Sequence, residues 1–174
     1  LVFRTRARRA LDWRVVLVVD VSGSMEPSVI YSAMMASILS ALPAITTSFV
    51  AFSTEVLDLS ARVDDPLGLL LEIRVGGGTD IAKALRYARS VVTVPSRTLV
   101  LVVSDFEEGG PVGALVAEVR ALVESGAKLL GVAALDDAGK ARFERAISEQ
   151  LVAAGMPVAA LSPLELARWV GEQV

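Results

Sequence analysis

Cysteine and histidine are both absent from this chain of 174 residues. Without cysteine there are no disulfides and no thiolate metal sites. Without histidine, zinc sites of the usual kind are excluded, and so is the standard general base of serine and cysteine hydrolases. Any metal held here is held by oxygen. Aromatic residues make up only 5%, too few for the stacking platforms that bind unpaired RNA bases. No apolar run approaches the roughly 20 residues of a membrane-spanning helix. The expectation is therefore a cytoplasmic protein that makes no use of the membrane. There is no G-x-x-x-x-G-K-[ST] stretch, so the chain encodes no ATPase of that kind.

What is present is a globular composition, 53% apolar and 21% charged, long enough for one domain with a real core. Formal net charge is −3, unevenly spread. Residues 1–14 carry Arg4, Arg6, Arg8, Arg9 and Arg14 against Asp12, a local +4 that leaves −7 for the rest. A basic arm can bind nucleic acid or anionic lipid. The simpler expectation is a solvated lead-in, residues 1–13, ahead of a single domain over 14–174. Arg8-Arg9 is no twin-arginine export signal, because a short strand interrupted by Asp20 follows instead of an apolar region with a cleavage site. A start at Leu1 rather than Met is expected of a piece of something longer.

Strand and helix patterns alternate along the chain. Residues 15–19 are an uninterrupted, β-branched apolar run, the mark of a strand buried on both faces. Glu26-Pro27 opens a helix in which Ile30, Met34, Ile38 and Leu42 recur every four residues, and Pro43 stops it. Residues 45–53 and 56–59 read as an antiparallel hairpin. A short helix is expected over 65–73, a glycine loop over 76–78, and a helix over 79–92 with Ile81, Ala84, Leu85 and Ala88 on one face. Strands follow at 98–103, 129–135 and 158–161, and helices at 112–125, 137–154 and 163–170. This order predicts a doubly wound α/β fold: a mostly parallel six-stranded sheet with one antiparallel edge strand and helices on both faces.

The chemistry concentrates at strand ends. Asp20-Val21-Ser22-Gly23-Ser24 follows the first buried strand, and an aspartate there is costly to bury alone. A carboxylate and two hydroxyls at i, i+2 and i+4 form a set of hard oxygens, suited to a hard divalent cation. In an open α/β sheet, ligands bind beyond the C-terminal strand ends where strand order reverses. Ser104-Asp105 and Thr79 fall at that same edge. Each residue has a simpler local role: Ser24 and Thr79 can cap helices, and Asp105 can begin a turn. Capping does not explain why all five converge. Glu107 and Glu108 are expected to be solvated loop acids; the sharper alternative puts one of them near the metal, as an affinity-raising neighbour or an internal ligand.

Together these residues resemble the von Willebrand factor A (vWA) domain family. Its metal-ion-dependent adhesion site (MIDAS) reads D-x-S-x-S, then a threonine on a second loop and an aspartate on a third. The matching positions are Asp20, Ser22, Ser24, Thr79 and Asp105. The resemblance runs from about Arg14 to the C-terminus and implies the Rossmann-like vWA fold. It also implies hydroxyl ligation by Ser22, Ser24 and Thr79, with the carboxylates of Asp20 and Asp105 acting partly through waters. Neutral ligands leave residual positive charge on the ion. A Mg²⁺-sized ion (or Mn²⁺ or Ca²⁺) then completes its oxygen shell with water, which an Asp or Glu of a partner protein displaces. The Ala10-Leu11-Asp12-Trp13-Arg14 lead-in, the Ser22-Gly23-Ser24-Met25 turn and the loop over 104–109 resemble bacterial intracellular proteins of the CoxE type. In that group the resemblance implies work beside a MoxR-type AAA+ ATPase, in metal-cofactor insertion or protein remodelling.

The expected function is thus a non-enzymatic, divalent-metal-dependent protein-binding module. An alternative is a Mg²⁺-dependent phosphoryl-transfer enzyme using Asp20 as nucleophile. The second carboxylate such enzymes place two residues on is here Ser22, and no lysine is expected at a strand end: Lys83 and Lys140 fall in expected helices, and Lys128 is expected to precede its strand. A serine hydrolase lacks its G-x-S-x-G elbow. An RNA-protein scaffold would rest on the arginine arm alone, against an acidic body, so nucleic acid is not an expected partner.

Overall fold

The β-branched run forms β1 (Trp13–Asp20), the centre of a six-stranded sheet ordered β3-β2-β1-β4-β5-β6. The computed structural model describes residues 12–42, 45–62, 64, 65, 68, 76–136 and 138–173. The other strands are β2 (Ile45–Phe52), β3 (Val56–Asp58), β4 (Thr98–Ser104), β5 (Lys128–Ala133) and β6 (Val158–Ala159). β1 pairs in parallel with both β2 and β4, β4 with β5, and β5 with β6; only the edge strand β3 runs antiparallel, as a hairpin with β2. Strand order therefore reverses between β1 and β4, which opens a crevice at their C-terminal ends.

Alternation along β1 divides the core into two layers. Val15, Leu17 and Val19 face α1 (Val29–Ser40) and α5 (Pro163–Gln173), where Met35, Leu39, Leu166 and Val170 are buried. Val16 and Val18 face the opposite layer of α2 (Ile81–Val91), α3 (Val112–Glu124) and α4 (Arg145–Ala153), with Ile81, Leu85, Val119 and Leu151. None of residues 15–19 is more than 3% exposed. Complete burial of such side chains contributes about 1.5–3 kcal/mol each. The expected fold class is therefore the observed one, and no helix among the described residues is long and apolar enough to cross a membrane.

Two local expectations are corrected. The helix expected from Glu26 is preceded by a 3₁₀ segment, Gly23–Ser28, and Met34 of the four-residue stripe does not lie on its buried face. Tyr31, Met35 and Leu39 face inward with Ala36, while Met34 is 51% exposed. The helix is apolar on all sides, so spacing alone does not distinguish its faces. The helix expected over 137–154 is confined to Arg145–Ala153. Turn chemistry prevails ahead of it: Asp136 Oδ1 accepts from the amides of Ala138 and Lys140, Gly139 has φ 72°, and Leu135 bridges Ala141. The short helix expected over 65–73 lies largely outside the described residues, as do residues 1–11 of the lead-in expected over 1–13, whose last residue, Trp13, opens β1.

Candidate metal centre

Asp20 ends β1 almost completely buried, at 1% exposure. Its carboxylate is fixed from two directions. Oδ1 accepts from the Ser22 amide at 2.9 Å, and Oδ2 accepts from the Ser104 hydroxyl at 2.6 Å. Ser104 is the last residue of β4, and β1–β4 pairing brings it level with Asp20 across the crevice. The Phe106 amide donates to the Ser104 oxygen at 2.9 Å, so the hydroxyl is oriented toward the carboxylate. Sequence reasoning passed over Ser104 as a working residue. The signal was available: a hydroxyl at the last position of a strand that after Thr98 is built from leucine and valine.

Ser22 is buried and Ser24 exposed, their hydroxyl oxygens 3.3 Å apart. The loop carrying Thr79 lies against this turn through main-chain bonds, from the Gly76 amide to Val21 O at 3.1 Å and from the Gly23 amide to Gly77 O at 3.3 Å. Gly77, at φ 81°, has the left-handed backbone this approach requires. Thr79 itself is 8% exposed. The loop after β4 closes the third side. Asp105 is 5% exposed, its Oδ1 accepts from the Glu107 amide at 3.2 Å, and its carbonyl accepts from the Glu144 amide at 2.8 Å. The next residue, Phe106, is a left-handed non-glycine residue with φ 59°, and its ring is wholly buried. That turn lets Phe106 enter the core while its neighbours stay at the rim. The Gly109 amide donates to Thr79 O at 2.9 Å, which ties the second loop to the third.

The structure thus brings Asp20, Ser22, Ser24, Thr79 and Asp105 to three adjoining loops at one sheet edge. Glu107 is exposed, but Glu108 is half-buried, which corrects the expectation of two solvated acids. Glu108 Oε2 accepts from the amides of Ile81 and Ala82 at 3.0 and 3.2 Å, and Oε1 accepts from Gly110 at 2.8 Å. It is a helix cap supplied from another loop, a role that only the folded chain reveals.

Electrostatically the site is a concentration of buried negative charge. Burial pushes the Asp20 pKa up; the hydrogen bonds from Ser104 and Ser22 pull it back, and the nearby Asp105 charge adds to the rise. No Lys or Arg forms an ion pair with Asp20 or Asp105 among the described residues. Lys83 is held instead by Thr54 O and Glu55, and Lys128 opens β5 at the opposite end of the sheet, over the Trp13 ring. No cluster of three His, Cys, Asp or Glu side chains able to hold a metal exists among the described residues. A cation at this edge therefore depends on the hydroxyls as well as on the two carboxylates. An all-oxygen set with two uncompensated buried carboxylates fits Mg²⁺, Mn²⁺ or Ca²⁺ and fits soft metals poorly.

Residues 1–170 match the family described as VWA domain containing CoxE-like protein. The uncharacterized protein YehP of Escherichia coli (strain K12) is 45% identical over 173 residues, 99% of this chain and 46% of that protein. The chain thus spans less than half the length of that relative. Among solved structures, an aerotolerance-related membrane protein from Bacteroides fragilis NCTC 9343 superposes with a TM-score of 0.70 at 14% identity, over 92% of this chain and 98% of that one. The SpRpn10 VWA domain superposes with a TM-score of 0.63 at 11% identity, over 92% and 94%. At such identities the structures establish the fold alone.

Proposed function

The chain belongs to the family of VWA domain containing CoxE-like proteins, and we propose that it is a divalent-metal-dependent protein-binding module. In this reading Asp20, Ser22, Ser24, Thr79 and Asp105 form a MIDAS-type site for Mg²⁺ or a similar ion. The observation that carries the reading is the pair of buried carboxylates, Asp20 and Asp105, with no Lys or Arg ion-paired to them among the described residues and with the hydroxyls of Ser22 and Ser104 beside Asp20. Burying uncompensated charge is strongly unfavourable unless a bound partner offsets it.

The chain's own residues have distinct tasks. Ser104 and the Ser22 amide orient the Asp20 carboxylate. Ser22, Ser24 and Thr79 supply uncharged oxygens, and Asp105 supplies the second negative charge. When bound, a Mg²⁺-class ion supplies an open coordination position for a partner's Asp or Glu. The ligand is therefore an acidic side chain on a protein surface. A MoxR-type AAA+ ATPase, in the cytoplasm, is the first partner to test. Phosphoryl transfer is the weaker reading: Ser22 stands where the second carboxylate belongs, and Lys83 and Lys128 are engaged elsewhere.

The test is affinity capture in Mg²⁺ with wild type, Asp20→Ala and Thr79→Ala, and with wild type in EDTA. The reading expects one partner to be captured by wild type alone, while all variants keep their circular dichroism. Capture that persists in EDTA and in both variants contradicts it.

A further inference from the structure

We propose that Glu108 is a positioning residue for the candidate metal centre, setting its affinity by holding Thr79 in place relative to Asp105. The proposal rests on the metal-site reading above and names a residue outside the five. An exposed helix N-terminus leaves its first amides to water or to a local cap. In α2 the local cap is Asp80, which takes only the Lys83 amide, at 2.8 Å. The amides of Ile81 and Ala82, directly after Thr79 and Asp80, are taken by Glu108 Oε2 from the loop that begins with Asp105. The other oxygen, Oε1, accepts from Gly110 and fixes the conformation of Glu108's own loop.

The residue that follows completes the clamp. Gly109 donates to Thr79 O at 2.9 Å, and a Cβ on Gly109 would lie 2.6 Å from that oxygen. Glu108 and Gly109 therefore hold residues 79–82 from the third loop: main chain meets Thr79, and the carboxylate meets the amides after it. A carboxylate at a helix start also interacts favourably with the helix dipole. Without Glu108, two amides lose their acceptor and one main-chain bond remains between the loop of Thr79 and that of Asp105. In metal proteins, residues that orient the ligands without touching the ion typically carry 10–100-fold in affinity.

The experiment is calorimetric titration of Mn²⁺ into wild type, Asp20→Ala, Glu108→Ala, Glu108→Gln and Glu165→Ala. Glu165 caps α5 through the Ser162 amide and serves as a cap deletion elsewhere. Amide hydrogen exchange at Ile81 and Ala82 is read on the metal-free proteins. The expected result is binding lost in Asp20→Ala, weakened about tenfold or more in Glu108→Ala, partly recovered in Glu108→Gln, and unchanged in Glu165→Ala, with exchange faster at Ile81 and Ala82 only in the Glu108 variants. Wild-type affinity in Glu108→Ala, or an equal loss in Glu165→Ala, overturns the proposal and leaves the metal site standing. Wild-type affinity in Asp20→Ala overturns both.

Discussion

Truncating Phe106 tests how the loop that bears Asp105 is built. Its ring is wholly buried, and it lies so close to Gly131 that a Cβ there would come within 2.8 Å of Cζ. Phe106→Ala removes that ring from a packed interior, at a cost of about 3–5 kcal/mol. For a domain of this size each kcal/mol lowers Tm by roughly 2–4 °C, so the drop is on the order of 10 °C. Phe106→Gly removes the same ring, so the difference between the two variants isolates the backbone. At an ordinary position glycine is less stable than alanine by roughly 0.5–1 kcal/mol. At φ 59° alanine suffers the left-handed clash of Cβ with the carbonyl, about 1–2 kcal/mol, which glycine escapes. Phe106→Gly is therefore expected to equal or exceed Phe106→Ala in stability, by up to about 1.5 kcal/mol. Urea unfolding with a shared m-value measures the difference. Glycine falling below alanine by the usual amount refutes the left-handed turn. A loss under about 1 kcal/mol for alanine refutes the burial.

Other expectations follow from single contacts. Gly109→Ala pushes a Cβ against Thr79 O and is expected to weaken Mn²⁺ binding and lower Tm together; unchanged values of both in calorimetry contradict the close approach. Asp20→Asn is expected to stabilise the metal-free protein at neutral pH while abolishing metal binding. The sign follows from linkage: the folded pKa of Asp20 is raised above its ordinary value of 3.8, so its contribution is most favourable below that value and is lost as pH rises through the folded pKa. Tm measured against pH in EDTA should fall less steeply for Asp20→Asn than for wild type as pH rises from 3.8 through the folded pKa of Asp20, and curves that stay parallel across that window contradict it. Met34→Lys on the outer face of α1 is expected to change stability by no more than about 0.5 kcal/mol, checked by urea unfolding; a loss well beyond that returns Met34 to the core.

The β1 run and its polar end were legible because two signals coincide there: burial on both faces, then an abrupt set of oxygens. Thr79 and Asp105 were legible because a doubly wound sheet delivers its loops to one edge. The face of α1 was not, since a helix apolar on every side carries no directional pattern. The start of α4 was hidden because the Asp136 turn and Gly139 interrupt residues of good helix propensity. The contacts of Ser104, whose place at a strand end was visible, and of Glu108 were hidden for a different reason. Their partners, Asp20 and the first amides of α2, lie 84 and 26–27 residues away, and local spacing does not encode such contacts.

The most direct measurement of the central claim is anomalous scattering from crystals grown with Mn²⁺. The account predicts one strong peak at the C-terminal ends of β1 and β4, bonded to the hydroxyls of Ser22, Ser24 and Thr79 at roughly the 2.1 Å expected of a Mg²⁺-sized ion, and absent from Asp20→Ala crystals. Well-ordered loops with no peak there at millimolar Mn²⁺, or a peak that survives in Asp20→Ala, would contradict it.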